Sequence, residues 1–89
     1  MVQTIVTVDK PANADAVIPL PVGKKLYGAV GLNSKNIDIE IDGKTFRILS
    51  NTGATREIWY PVPLEFEAAA KIIFNGSGIA GTCGIIIDA

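Results

Sequence analysis

Isoleucine alternates with acid along Ile37-Asp38-Ile39-Glu40-Ile41-Asp42, and a second alternating run, Lys44-Thr45-Phe46-Arg47-Ile48-Leu49, begins directly after Gly43. A period of two places alternate side chains on opposite faces of a strand, and Asp-Gly suits the left-handed two-residue turn of a hairpin. Counting outward from the turn predicts Ile41 opposite Lys44, Glu40 opposite Thr45, Ile39 opposite Phe46, Asp38 opposite Arg47 and Ile37 opposite Ile48. On that register Ile37, Ile39, Phe46 and Ile48 share one face, and Asp38 meets Arg47 on the other.

The remaining pattern is also strand-like. Val2 to Val8 is rich in valine, threonine and isoleucine on both faces and reads as an opening strand, followed by a loop from Asp9 to Asp15. Ala16 to Val22 has strand composition but carries Pro19 and Pro21, which cannot donate to a ladder, so it is expected at a sheet edge. Leu26 to Leu32 is a strand with Gly28 and Gly31 inside it, as at a bulge or a close backbone approach. Asn33 to Asn36 is turn composition, and Ser50 to Glu57 reads as a long polar loop. Ile58 to Leu64 holds Trp59 and Tyr60 between further prolines, and Leu64 to Phe66 alternates as a strand. Glu67-Ala68-Ala69-Ala70-Lys71 has helical composition but is too short for an independent helix, so a bend near Ala69 is preferred and one helical turn is the alternative. Lys71 to Phe74 and Gly84 to Ile87 are continuous apolar runs expected at the centre of the sheets. About seven short strands between turn signals indicate an all-β chain, an antiparallel β-sandwich of jelly-roll type or a small barrel, in one domain over residues 1–89.

Composition narrows the chemistry. The 89 residues are 48% hydrophobic, with eight basic and nine acidic side chains, no histidine and one cysteine. A triad, a tetrahedral zinc site and an intramolecular disulfide are therefore excluded within one chain, and Cys83 reads as a small buried hydrophobe. The balanced charge lacks the basic footprint of a nucleic-acid binder. From Ile72 to Ile87 no residue is charged, but the run is too short and too rich in glycine to span a membrane. The N-terminus has no signal-peptide pattern, so synthesis in a cytoplasm is expected. Mean hydropathy is +0.35, high for a small β-rich chain. Part of the surface is therefore expected to be covered by a partner in a homo-oligomer or larger assembly.

Three stretches carry candidate chemistry. Gly76-Ser77-Gly78-Ile79-Ala80-Gly81 has the glycine spacing of the dinucleotide-binding fingerprint after a strand, and locally resembles the first turn of flavin and nicotinamide enzymes. The following residues favour a strand over the helix that the fingerprint needs, so the expectation is a glycine-rich connection between central strands, with no cofactor. Glu65 with Glu67, and Asp38 with Glu40, are same-face carboxylate pairs. Nothing desolvates them, so no catalytic role is assigned. Trp59, Tyr60 and Tyr27 form a candidate sugar-stacking platform, with Asn51, Thr52, Arg56 and Glu57 as hydrogen-bonding groups. The competing reading places Trp59 in the core or at a subunit contact.

A histidine-free β-sandwich with an apolar balance and glycine- and proline-punctuated strands resembles, in overall character, the compact accessory proteins of bacteriophage particles, such as head-decoration and fibre-base modules. The resemblance spans the whole chain and transfers no site residue. It implies a non-catalytic structural subunit on a virion surface, acting by symmetric assembly. Candidate contacts are the two proline-rich edges, Ile18, Leu20 and their neighbours up to Val22, and Trp59, Tyr60, Val62 and Leu64, with Tyr27 beside them. The alternative is a carbohydrate-binding or adhesive module.

Overall fold

A computed structural model describes residues 3–32, 36–50, 55–76 and 79–88, apart from the side chains at 32, 55 and 56. Eight strands run β1 (Gln3–Lys10), β2 (Ala16–Leu20), β3 (Leu26–Leu32), β4 (Asn36–Ile41), β5 (Lys44–Ser50), β6 (Thr55–Leu64), β7 (Ala70–Phe74) and β8 (Gly81–Asp88). They form two antiparallel four-stranded sheets, ordered β1-β8-β3-β6 and β2-β7-β4-β5. This interleaving is the jelly roll: β1 pairs with β8, β2 with β7, β3 with β6 and β4 with β5, as though one long hairpin had been rolled into a sandwich.

The two charge-free runs are interior strands, as their composition predicts, together with β3 and β4. β8 lies between β1 and β3, and β7 between β2 and β4. Ile72 and Phe74 of β7 and Ile85 of β8 are fully buried, and they meet Ile37 of β4, Leu20 of β2 and Leu26 and Ala29 of β3 in one core. Cys83 is part of that core.

The 42–43 turn has the expected handedness, with Asp42 at φ 52° and Gly43 at φ 75°. The first four expected hairpin pairs are present, but Ile37 lies opposite Leu49 rather than Ile48, because a bulge follows Arg47. The extra residue lets both Ile48 and Leu49 pack on the core. Phe46 pairs with Ile39 yet is 53% exposed, because β5 is the sheet edge.

Other boundaries move. The first strand runs on to Lys10, and β6 begins at Thr55 inside the stretch expected to be loop. Residues 51–54 lie outside the described set. No helix forms between Glu67 and Lys71. The chain bends at Glu67 and Ala68, and β7 starts at Ala70, where pairing with β2 and β4 outweighs a weak helical preference. No helix among the described residues is long and apolar enough to cross a membrane.

Candidate functional site

The sequence candidates separate by face. On β2, Ile18 and Leu20 are 3% and 2% exposed and point into the core, so they are removed from the contact surface. The edge position of β2 is as expected, but alternation exposes Val17 instead, with Val22 beyond the strand. On β6, also an edge strand, Tyr60 and Leu64 pack against the core, whereas Val62 is 78% exposed. Tyr60 therefore cannot share a flat stacking platform with Trp59, its neighbour on the opposite face.

Trp59 is 54% exposed, which excludes the core placement. It lies opposite Gly28 on the outer face of the first sheet. A Cβ at Gly28 would sit 2.9 Å from the Trp59 ring and 2.7 Å from the Ile58 carbonyl oxygen, so the glycine is the floor on which the indole lies. Gly28 in turn pairs with Ile86, and Ile86 with Ile5. Ile86 is buried but is not among the core residues, and Ile5 is 56% exposed. A continuous apolar row, Ile5-Ile86-Gly28-Trp59, thus crosses the outer face of all four strands.

Tyr27 occupies the irregularity between Leu26 and Gly28, where the register on both neighbouring strands shifts. Its hydroxyl donates to Asp88 Oδ1 at 2.7 Å, and the Lys25 amide donates to Oδ2 at 3.2 Å. These two bonds, the tyrosine first, hold the Asp88 carboxyl below the ordinary carboxylate range, and the carboxylate pushes the Tyr27 hydroxyl up. A carboxyl that is more acidic in the folded chain contributes stability above its unfolded pKa, about 3.9, and that contribution is lost as pH falls through the lower folded value. Tyr27→Phe is expected to return Asp88 toward the ordinary value and to make the loss of stability below about pH 4 less steep. Carboxyl titration by NMR and acid unfolding curves check this.

Burial also raises the Tyr60 hydroxyl pKa, and this oxygen has no hydrogen-bond partner among the described residues. An unpaired buried hydroxyl is a net cost, so Tyr60→Phe is expected to stabilise the domain by about 1 kcal/mol, raising the melting midpoint by about 4–8 °C.

Two buried polar groups had no signal in the sequence. Lys10 is 1% exposed, and its ammonium donates to the Ile79 carbonyl at 2.7 Å and the Pro11 carbonyl at 3.2 Å, tying the β7–β8 connection to the end of β1. Asp38 does pair with Arg47, at 3.0 Å, but it is 7% exposed rather than solvated. Its other oxygen accepts from Asn75 Nδ2 at 3.0 Å. The partner that buries it comes from a strand end 37 residues away, which pattern along the chain does not reveal. Glu40, the same-face neighbour of Asp38, pairs across the ladders with Thr45 and Lys71.

The glycine-spaced motif joins β7 to β8 as a connection, with a strand where the fingerprint needs a helix. Residues 77 and 78 lie outside the described set. Gly76 has a packing role: a Cβ there would lie 2.8 Å from the backbone N, C and O of Ala14, and its amide donates to Asp15 Oδ1 at 2.7 Å. Of the hydrogen-bonding groups proposed around Trp59, Glu57 is exposed on β6, while Asn51 and Thr52 and the Arg56 side chain lie outside the described set. Comparison of the chain with family models, curated proteins and solved structures finds no match.

Proposed function

We propose that the chain is a non-catalytic structural subunit that works by symmetric self-association, in the manner of bacteriophage decoration or fibre-base modules. The observation that carries this reading is the apolar outer face. In a sandwich of this size, the inward faces of both sheets already supply the core, yet Ile5 and Trp59 on the outer face of the first sheet stand at least half exposed, and Val62 and Phe46 add exposed apolar surface along the edge strands β6 and β5. The jelly roll suits the reading, since it serves in capsid subunits, although it also serves in lectins and the fold alone does not choose.

A second reading, a carbohydrate-binding module, is favoured by one observation. The Trp59 ring packs over Gly28 and is exposed, so an aromatic ring on which a sugar could stack is available without Tyr60. Native mass measured on dilution separates the readings. Self-association requires a discrete oligomer that dissociates with dilution. A clean monomer through the micromolar range, with sugar binding on a glycan array that Trp59→Ala abolishes, replaces the first reading with the second.

A further inference from the structure

A jelly roll has four edge strands, here β1, β6, β2 and β5, and each presents unpaired backbone groups to any strand that approaches. Three of them are blunted. β2 contains Pro19, and β6 contains Pro61 and Pro63. β5 is bulged at Ile48 and carries Lys44 and Arg47. β1 has no proline and no bulge, and its charges, Asp9 and Lys10, are confined to its last two residues. From Gln3 to Val8 it has no proline and no charge, and Gln3 to Thr7 are exposed on both faces, Ile5 at 56% and Val6 at 37%. Its ladder with β8 is unbroken from Gln3 to Lys10. A flat, neutral, β-branched edge of this kind associates unless something covers it.

We infer that β1 pairs antiparallel with β1 of a second copy about a two-fold axis, joining two four-stranded sheets into one of eight strands. The inference rests on the self-association reading and names its contact. The direction of the backbone groups supports it. The Val6 carbonyl oxygen points at β8, where a Cβ on Gly84 would meet it at 3.2 Å. Alternation then turns the N–H and C=O of Ile5 and Thr7 to the free edge. A two-fold that pairs antiparallel strands stands perpendicular to the sheet and keeps like faces together, so it centres on a residue, Ile5 or Val6, and outward groups meet outward groups in both registers.

Neutrality argues for a second copy as the occupant. A two-fold sets a strand against itself, so any charge at its centre meets its own like charge; β5 has Arg47 there, β2 and β6 are uncharged at the centre but carry prolines, and β1 is the edge that is both neutral at its centre and free of proline. Centred on Ile5, the pairing also makes the two Ile5-Ile86-Gly28-Trp59 rows continuous. β2, which lies beside β1 in the facing sheet, has Pro19 and leaves the second pair of sheets unjoined.

The test compares sedimentation of the wild-type chain with Thr7→Pro and Ile5→Lys. Proline at Thr7 removes an outward donor and leaves the β8 ladder intact, while lysine at the exposed Ile5 sets like charges at or beside the axis. If Thr7→Pro does not fold, Ile5→Lys alone decides the matter. Each variant that keeps the wild-type circular dichroism is expected to dissociate at a concentration at least about tenfold higher than wild type, a loss of about 1.4 kcal/mol in association. A wild-type oligomer that both substitutions leave unchanged overturns the β1 contact and leaves self-association standing through another surface. A wild-type monomer at every concentration overturns both.

Discussion

Phe74→Ala is expected to lower unfolding stability by about 3–5 kcal/mol, the range for truncating a fully buried phenylalanine. Phe74 has no exposed surface and sits on β7 between Ala16 of β2 and Ile37 of β4. Its ring closes the core at the end of the sheet where β7 stops and β2 begins, and Ala16 beside it is too small to fill the space that it would leave. A domain of this length has only about 5–15 kcal/mol in total, so the variant approaches the unfolding threshold at room temperature. Urea unfolding checks this, with a shift in midpoint at unchanged slope marking a stability loss in an intact fold. A loss under about 1 kcal/mol would mean that the sheets close over the site and that the core is not packed around this ring.

Gly76→Ala is the second large effect, expected at about 1–3 kcal/mol, as for overpacking against an unyielding wall. The added methyl would meet three backbone atoms of Ala14 at 2.8 Å, and backbone cannot swing aside as a side chain can. Any retreat also lengthens the Gly76 amide bond to Asp15, so the β1–β2 and β7–β8 connections separate. The measurement is again urea unfolding, with Asp15→Ala as the companion that removes the bond and spares the contact. The outcome bears on how the glycine-spaced motif is read. A cofactor fingerprint would lose ligand binding from this substitution, whereas a packing glycine loses stability with no ligand present.

Much of the fold is legible along the chain because neighbours in sequence determine it. The Asp42-Gly43 turn dictates its own hairpin pairs. The prolines of β2 and β6 exclude interior places, and the consecutive apolar residues of β7 and β8, which leave neither face polar, mark them as interior strands. The failures share a physical cause in long-range packing. Nothing local signals that Ile48 bulges, because the bulge serves a core built from other strands. Lys10 and Asp38 look like surface charges until Ile79 and Asn75 are brought to them. Ile18 and Leu20 belong to the expected edge strand, but edge position describes hydrogen bonding and does not settle which face is wet. Sequence alone leaves Trp59 open among core, contact and platform, because its outer-face position follows from the β3–β6 register and from Gly28, about 30 residues earlier in the chain. The apolar row from Ile5 to Trp59 is invisible in sequence for the same reason, since its members come from four strands.

Closure of the unblunted β1 edge by a second copy is tested most directly by backbone amide exchange resolved by residue. Val6 and Val8, hydrogen-bonded to β8, are expected to be protected at every concentration. Ile5 and Thr7, turned to the free edge, are expected to exchange rapidly in dilute solution and to gain at least about tenfold protection as the chain associates. Fast exchange at Ile5 and Thr7 in a sample that sediments as an oligomer would contradict the account.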